Sequence, residues 1–470
     1  MIRGLHWFRN DLRLRDNTTL VALAERVEQW LPVFVIDRDF FRADSGRPRA
    51  RFLFDCLSRL RRDLEARGVP LQIVEGEPET LLPRLMQDAE ATVLSFGEAD
   101  TPLGRRRDAR VREAVEAQGG ELLVRRDHTV FAPEEIRTQA GGAYSVYTPY
   151  RNAWWKKWAE SPRLPERRLR LPKEAIPGAR FRKAGAPIPD LESEQGIALP
   201  TGGEEAALRR LSSFLDGPVG RYATDRDRPD LDGTSRLSPY LRFGAISVRR
   251  CFADGLAAGE DDPSLAEGAS KWLDELVWRE FYAAVLRDAP RVLTQNYRPV
   301  YDALDWSQDE QAFEAWCRGR TGYPFIDAGM RQLLATGWMH NRVRMVVASF
   351  LTKDLLIDWR KGARFFYERL VDGDPASNNG GWQWAASTGT DAQPYFRIFN
   401  PITQGKKWDP DGVYVRRYVP ELREIEDRFV HEPWRAPTPP RDYPAPIVDH
   451  AEARERTLEA FKRARDLAAD

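Results

Sequence analysis

The sequence predicts an N-terminal α/β domain with a doubly wound parallel sheet, joined by a long connector to a C-terminal all-helical domain. Three observations predict this fold. Short apolar runs alternate with amphipathic segments over the first 130 residues, and strand signals nearly vanish after residue 204. The length of 470 residues also exceeds one ordinary core. Prolines and charges accumulate between these parts, so the predicted domains are residues 1–130, 131–203 (the connector) and 204–470.

The first domain contains five short runs that are rich in β-branched or aromatic residues and are predicted as strands, at 4–8, 31–36, 71–74, 92–96 and 121–124. Amphipathic segments predict helices between them, at 19–27, 49–67, 78–89 and 105–117. This alternation implies a parallel sheet with helices on both faces. Because Gly-x-Gly-x-x-Gly does not follow the first strand, we expect a nucleotide-type fold without the usual dinucleotide fingerprint.

The connector contains an aromatic cluster at 144–158, which we expect to dock on a core because disordered linkers are poor in aromatic residues. Beyond it, helical periodicity predicts eight helices, at 206–215, 247–257, 270–286, 311–317, 325–336, 342–356, 362–370 and 451–468.

Composition argues against several classes of protein. The three cysteines and five histidines are scattered, so no metal site is expected. The 72 basic and 72 acidic residues balance, so any DNA contact must come from a local basic patch. No apolar run approaches the roughly 20 residues of a membrane helix, and the N-terminus does not have the pattern of a signal peptide, so we expect a soluble, cytoplasmic protein. Ten of the 15 tryptophans lie between residues 272 and 434, which fits core packing, stacking surfaces or redox relays.

Two segments suggest a ligand site. In residues 232–239, a glycine and hydroxyl side chains open a helix, which suits either a phosphate site or an ordinary helix cap. In residues 271–282, large aromatics and opposed charges share one helix face. That face suits a cavity for a flat heterocycle, or a core helix with an ion pair between Glu275 and Arg279.

Two later segments add polar groups. Asn341 and Met345 lie four residues apart on one helix face, where the amide can read a base edge and the thioether can form an apolar wall or fill a core. Residues 371–384 combine acids, amides and glycines and are interpreted as a tight polar loop near a ligand, with a metal site or a plain turn as alternatives.

Together these segments resemble the DNA photolyase/cryptochrome family along nearly the whole chain. Residues 6–13 resemble the family's opening strand, and 233–238, 278–281, 322–324, 338–342 and 372–374 resemble its helical-domain motifs in the same order. The resemblance implies a class I deoxyribodipyrimidine photo-lyase, a carbon–carbon lyase driven by blue or near-ultraviolet light. In this reaction reduced FAD passes an electron to a cyclobutane pyrimidine dimer that has been flipped out of the DNA.

The resemblance also implies roles for individual residues. FAD would be bound by Tyr222, Thr234, Ser235, Arg236, Leu237, Ser238, Trp272, Glu275, Arg279, Arg344, Asp372, Gly373, Asp374 and Asn378. The catalytic cavity around the dimer would consist of Glu275, Trp278, Asn341, Met345 and Trp384. Electrons would reach the flavin through Trp306, Trp359 and Trp382. DNA would be contacted by Arg226, Glu275, Trp278, Asn341, Arg342 and Gln404, with Lys406 and Lys407 on a basic rim.

Alternatives remain at this stage. A second, antenna chromophore is expected, and residues 102–108 fit a deazaflavin-type group better than methenyltetrahydrofolate. A cryptochrome-type light sensor is the main rival, although Asn378, Met345 and the Trp382–Trp384 pair favour repair. A (6-4) photolyase would be expected to carry histidine at Asn341, and a single-stranded nucleic-acid binder would lack flavin. We expect a monomer that acts on damaged DNA without an obligate protein partner.

Overall fold

A parallel β-sheet organises the N-terminal part of the chain. The structure is a computed structural model and describes residues 1–37, 47–177, 188, 197–391 and 397–468. The main strands are β1 (Arg3–Phe8), β2 (Gln29–Ile36), β3 (Gln72–Glu75), β4 (Val93–Gly97) and β5 (Glu121–Arg125). Their order in the sheet is β3-β2-β1-β4-β5, and every pair is parallel. The predicted doubly wound sheet is therefore confirmed.

Among the described residues of this part, four helices connect the strands: α1 (Thr18–Arg26), α2 (Arg47–Glu65), α3 (Pro78–Asp88) and α4 (Pro102–Glu116). Polar side chains fix two of their starts. Asn17 accepts hydrogen bonds from the backbone of Thr19 and Leu20, and Thr101 accepts one from Gly104. Because β2 and β4 lie on opposite sides of β1, the chain reverses direction across the sheet there, and a crevice opens at the carboxyl ends of these strands.

The predicted connector contains an unpredicted helix, α5 (Tyr147–Glu160), and a short strand β6 (Glu174–Ala175) that pairs with β2. Tyr147, Tyr150, Trp154 and Trp158 are buried on one face of α5, so the aromatic cluster docks on a core as expected. Residues 178–187 and 189–196 of the connector lie outside the described residues, and the three domain boundaries stay a prediction.

The C-terminal part is helical, as predicted. Its helices are α6 (Glu204–Leu215), α7 (Tyr222–Asp225), α8 (Ser238–Arg242), α9 (Val248–Asp261), α10 (Ala266–Asp288), α11 (Glu310–Arg318), α12 (Pro324–Thr336), α13 (Asn341–Ser349), α14 (Trp359–Arg369), α15 (Pro375–Ala386), α16 (Pro401–Trp408), α17 (Val413–Tyr418) and α18 (His450–Leu467). After α13 the chain forms a π-helix, Phe350–Asp354, where one continuous helix was expected.

The prediction of a loop over residues 371–384 was wrong from Pro375 onward. Asp374 accepts a hydrogen bond from the Ser377 backbone and so begins α15, and proline at the first helical position suits this start. The helix carries Asn378, Trp382 and Trp384 in fixed relative positions.

The sheet and the helical part share a hydrophobic core that includes Phe8, Trp154 and Trp272. A buried charged cluster of Arg13, Asp16, Asp127 and Arg249, called here the seam cluster, also joins the two parts. Among the described residues, no helix is both long and apolar enough to cross a bilayer.

Candidate active site

Helix α10 connects the predicted cofactor residues with the predicted dimer residues. Trp272 is buried and donates its indole N–H to the Ser235 hydroxyl at 3.2 Å. One turn later the Glu275 carboxylate accepts a hydrogen bond from Arg226 at 2.6 Å. Trp278 is partly exposed and stacks on Tyr147, with ring centroids 3.6 Å apart. The helix therefore places residues that are predicted to bind FAD next to residues that are predicted to contact DNA.

Arg210 fixes the backbone of segment 233–238. Its guanidinium donates to the carbonyl oxygens of Ser235 at 2.8 Å and Thr234 at 2.9 Å. The following helix, α8, has only five residues, so the expected contribution of a helix dipole to phosphate binding is small. The hydroxyls of Thr234 and Ser235 and the exposed guanidinium of Arg236 remain as donors for an anion. Tyr222 and Leu237 are buried, and Ser238 is exposed.

Two acids follow α14 and take different partners. Asp372 is buried, and its carboxylate pairs with Arg344 at 2.9 Å. Asp374 caps α15, and the carbonyl of Gly373 between them accepts a hydrogen bond from Arg242 at 2.8 Å. These contacts hold both acids at the start of the helix that carries Asn378.

Asn378 is placed by α14, because its amide nitrogen donates to the Ala363 carbonyl at 2.9 Å. This bond orients the side-chain amide relative to Trp359 and Trp382, which lie on α14 and α15.

Arg279 does not pair with Glu275, the partner one turn away that the sequence suggested as an alternative. Its guanidinium donates to the His128 carbonyl at 2.6 Å and to His128 Nδ1 at 2.8 Å, while Glu275 pairs with Arg226. Burial, reinforced by the charge of Arg279, lowers the pKa of His128, so the ring stays neutral and can accept this bond. Burial alone would raise the pKa of Asp374, but the cations around it, Arg242 foremost, keep that pKa below its usual value.

The three predicted relay tryptophans differ in burial. Trp382 and Trp359 are buried at 2% and 1% exposure, and Trp306 is partly exposed. The Trp359 indole N–H donates to Asn296 at 2.8 Å, and Trp382 packs edge-on against Phe366 with centroids 5.0 Å apart. The set therefore runs from the protein interior to its surface, as an electron relay requires.

Three of the predicted DNA-contacting residues, Glu275, Arg226 and Arg342, form a line of alternating charges with Asp227. Glu275 pairs with Arg226, and Arg226 lies 4.0 Å from Asp227. Asp227 in turn pairs with Arg342 at 2.8 Å, and the Arg342 guanidinium lies over the Trp408 ring. This line, called here the charge line, connects the predicted dimer cavity to the predicted DNA-binding rim.

The remaining members of this surface lie close by. Asn341 is exposed, and its amide nitrogen lies 3.9 Å from the Met345 sulfur. Gln404 accepts a hydrogen bond from the Trp408 indole at 3.1 Å, and Trp384 is partly buried beside Phe399.

A cavity of about 460 Å³ lies at the crevice of the sheet and extends toward Asp374 and Asn378. Near β1, the guanidiniums of Arg9 and Arg107 lie 4.6 and 4.9 Å from the centroid of the Trp7 ring. Burial and the neighbouring Arg9 lower the pKa of Arg107 to about 10. The sheet end of this cavity is the position at which doubly wound sheets bind ligands, so that end is a candidate site for the expected antenna chromophore. Arg279, Asp374 and Asn378, which are predicted to bind FAD, line the other end.

The residues present fit FAD chemically. The hydroxyls of Thr234 and Ser235 and the guanidinium of Arg236 suit a diphosphate, and the Arg344–Asp372 pair offers both a donor and an acceptor for a ring edge. In the described part of the chain, no three histidine, cysteine or acidic side chains converge as a metal site.

Sequence reasoning missed His128, Arg242, Asp227 and Tyr147, which contact predicted site residues directly. The motifs contain none of them, and their partners are distant in sequence. Only the aromatic cluster at 144–158 carried a signal that could have singled out Tyr147.

Comparisons with known proteins agree across both parts of the chain. The family model described as the FAD binding domain of DNA photolyase matches residues 272–463, and the model described as DNA photolyase matches residues 4–168. A deoxyribodipyrimidine photo-lyase of Halobacterium salinarum is 40% identical, with 98% of this chain and 99% of that protein covered.

Solved structures of similar proteins extend this result. A bacterial class III photolyase from Agrobacterium tumefaciens superposes with a TM-score of 0.89 at 37% identity, covering 99% of this chain and 98% of the other. An archaeal photolyase from Sulfolobus tokodaii, described with two FAD molecules that imply a novel light-harvesting cofactor, has a TM-score of 0.81 at 31% identity, covering 98% of this chain and 100% of the other.

Proposed function

This chain belongs to the DNA photolyase family, and we propose that it is a deoxyribodipyrimidine photo-lyase that repairs cyclobutane pyrimidine dimers in DNA under blue or near-ultraviolet light. One observation carries the proposal: α10 places Trp272 against the candidate cofactor segment and Glu275 and Trp278 on the candidate DNA surface. An enzyme that reduces a DNA lesion with a bound flavin needs this adjacency. The assignment to class I remains a prediction.

FAD, when bound and reduced, supplies the photoexcited electron that opens the cyclobutane ring. The chain's own residues bind and orient the cofactor. Thr234, Ser235 and Arg236 would hold the diphosphate, and Arg344, paired with Asp372, would hold the edge of the ring system. The bond from Asn378 to Ala363 keeps that amide at a constant orientation beside the flavin.

DNA enters as a flipped-out lesion, because a dimer inside the duplex cannot approach a buried cofactor. Trp278 and Trp384 form apolar walls, Asn341 and Glu275 offer hydrogen-bonding groups to the base edges, and Met345 forms an apolar surface beside Asn341. The positive charges of Arg226 and Arg342, held in place by the charge line, attract the phosphate backbone.

Trp382, Trp359 and Trp306 would conduct electrons from the surface to the flavin and so restore its reduced form. The partial exposure of Trp306 supports its place at the surface end, with the buried Trp359 and Trp382 on the flavin side. A second chromophore harvests light from the sheet crevice. The Trp7 ring and the flat guanidiniums of Arg9 and Arg107 beside it favour a planar chromophore, such as a deazaflavin.

The test is a repair assay on an oligonucleotide that carries one thymine dimer, with blue light and in the dark, after purification in the dark. We expect bound flavin and a light-dependent loss of the dimer. Trp382→Phe should abolish photoreduction but leave repair intact when the flavin is reduced chemically beforehand. The matched control is Trp434→Phe, at a partly buried tryptophan that packs on Tyr323. It should change neither photoreduction nor repair.

Other outcomes lead to different functions. Flavin that photoreduces without dimer loss would indicate a cryptochrome-type sensor, and a protein that binds DNA but no flavin would indicate a nucleic-acid binder. We also propose that the protein acts as a monomer in the cytoplasm. Light scattering during size-exclusion chromatography and fractionation of the source cells test these two points.

A further inference from the structure

One face of α5, a helix that the sequence did not predict, holds a single residue of α10, Asp274. Tyr147, Arg151 and Trp155 follow one another at intervals of four residues and therefore share a face. The Tyr147 hydroxyl donates to the Asp274 carbonyl at 2.7 Å. Arg151 and Trp155 both donate to the Asp274 carboxylate at 2.9 Å. Three side chains thus set the rotation of α10 just before Glu275.

Tyr147 also lies flat against Trp278, one turn further along α10. The ring centroids are 3.6 Å apart and the planes differ by 10°. Tyr147 is 7% exposed, whereas Trp278 remains partly exposed. The phenol ring therefore covers one face of the indole, and part of the indole stays accessible to a flat ligand.

The start of α5 is held by the loop after α15. The Tyr147 backbone N–H donates to the Asp391 carboxylate at 3.0 Å, and the Asp391 N–H donates to the Ser145 carbonyl at 2.8 Å. Asp391 acts as the cap that Val146 cannot supply. The segment before α5, at Ser145, and the loop after α15, at Asp391, are thereby joined to each other and to Tyr147.

We propose that Tyr147 is a positioning residue for damaged DNA: its ring holds the Trp278 indole in the plane on which the flipped dimer packs. The inference rests on the proposed function, because it needs Trp278 to contact the lesion. Without the stack the indole is mobile before binding and must be ordered when the lesion enters. Ordering one such side chain weakens binding by about two- to tenfold.

The experiment measures dark binding of holoprotein to a duplex that contains one thymine dimer and to the same duplex undamaged. Tyr147→Phe keeps the stack and should bind within about twofold of the parent. Tyr147→His keeps a smaller flat ring, and Tyr147→Leu keeps none. We therefore expect the Kd for damaged DNA to rise in the order Phe, His, Leu, to about two- to tenfold above the parent, with affinity for undamaged DNA unchanged.

Two controls separate positioning from general stability. Tyr144→Leu removes an aromatic side chain of the same segment, one that packs edge-on against Tyr150, and should not change dimer affinity. In a Trp278→Leu background, Tyr147→Leu should have no further effect on dimer binding, because the side chain that it orients is gone. FAD absorbance and the melting temperature are recorded for each variant.

Three results would be informative in different ways. If Trp278→Leu binds the dimer as tightly as the parent, the cavity assignment of the proposed function is wrong. If Trp278→Leu weakens dimer binding and Tyr147→Leu does not, the positioning role is overturned while the proposed function stands. An equal loss of affinity for undamaged DNA, or a loss that persists in the Trp278→Leu background, also overturns it.

Discussion

Replacing Asp127 by asparagine changes the charge balance of the seam cluster without changing its volume. Asp127 lies just after β5 and is 7% exposed. It pairs with Arg13, and it accepts hydrogen bonds from Arg249 at 2.9 Å and from the Thr18 hydroxyl at 3.0 Å. Asp16 pairs with Arg249 as well, at 3.0 Å. Two buried guanidiniums thus face two buried carboxylates, and the cluster joins the sheet to α9.

The asparagine variant leaves one positive charge without its counterion in a water-poor site. Breaking a buried pair in this way costs about 3–5 kcal/mol. The matched control is Glu121→Gln, which breaks a pair with Arg26 in which the side chains are 45% and 53% exposed. Solvent screens that pair, so its loss should destabilise the protein far less than the loss of the Asp127 pairs.

The same cluster predicts a pH dependence. Burial by itself raises the pKa of Asp127, but Arg13 and Arg249 outweigh burial and hold that pKa far below its usual value. A carboxyl group with a depressed pKa in the folded state stabilises the protein above its unfolded pKa, about 4. This contribution disappears as the pH falls below that value, and Asp127→Asn should lack it.

Urea unfolding of the FAD-loaded protein, followed by far-ultraviolet circular dichroism and flavin fluorescence, measures these free energies. Arg249→Met and the double variant with Asp127→Asn complete a thermodynamic cycle, in which the double variant should lose less than the sum of the two single losses. The reasoning is refuted if Asp127→Asn costs no more than Glu121→Gln, or if the two seam substitutions are additive.

Three further predictions follow from single contacts. Burial lowers the pKa of His340 to about 4, so the free energy of unfolding should fall by about 3 kcal/mol as the pH drops from 6.5 to 4, and His340→Gln should reduce this fall in urea titrations. The added methyl of Gly362→Ala would lie 2.2 Å from the Trp382 ring, so we expect a loss of about 1–3 kcal/mol in calorimetry and slower photoreduction with FAD retained. Arg342→Met, which removes the cation paired with Asp227, should weaken binding to damaged and undamaged DNA alike and reduce the slope of log K against log salt by about one. An unchanged pH profile, an unchanged photoreduction rate or an unchanged salt slope would contradict the respective prediction.

The sequence by itself determined the strands and most of the helices. Apolar runs such as 31–36 are buried on both faces of a parallel sheet, and the amphipathic spacing within 49–67 reports a helix with one buried face. These patterns arise between neighbours in the chain, so they can be interpreted without coordinates. The motifs around Ser235, Trp278 and Asp372 were likewise recognisable because each is a continuous segment.

The presence and the ends of some helices depended on tertiary packing rather than on the local sequence pattern. The glycines and amides of 375–384 have poor helix propensity, and the cap by Asp374 together with packing against α10 and α14 overrides that propensity. Helix α5 was missed for the opposite reason. Its buried face is aromatic but its flanks are irregular, and the carboxylate that caps its first residue comes from Asp391, more than 200 residues away.

Only the tertiary structure decided which charges meet. Glu275 could have paired with Arg279 on the same helix, yet it pairs with Arg226, and Arg279 turns to His128. Which ion pair forms between distant residues depends on how whole helices pack. It also depends on which partner best offsets the free-energy cost of removing each charge from water. That choice involves the entire fold, so no local pattern in the sequence can encode it.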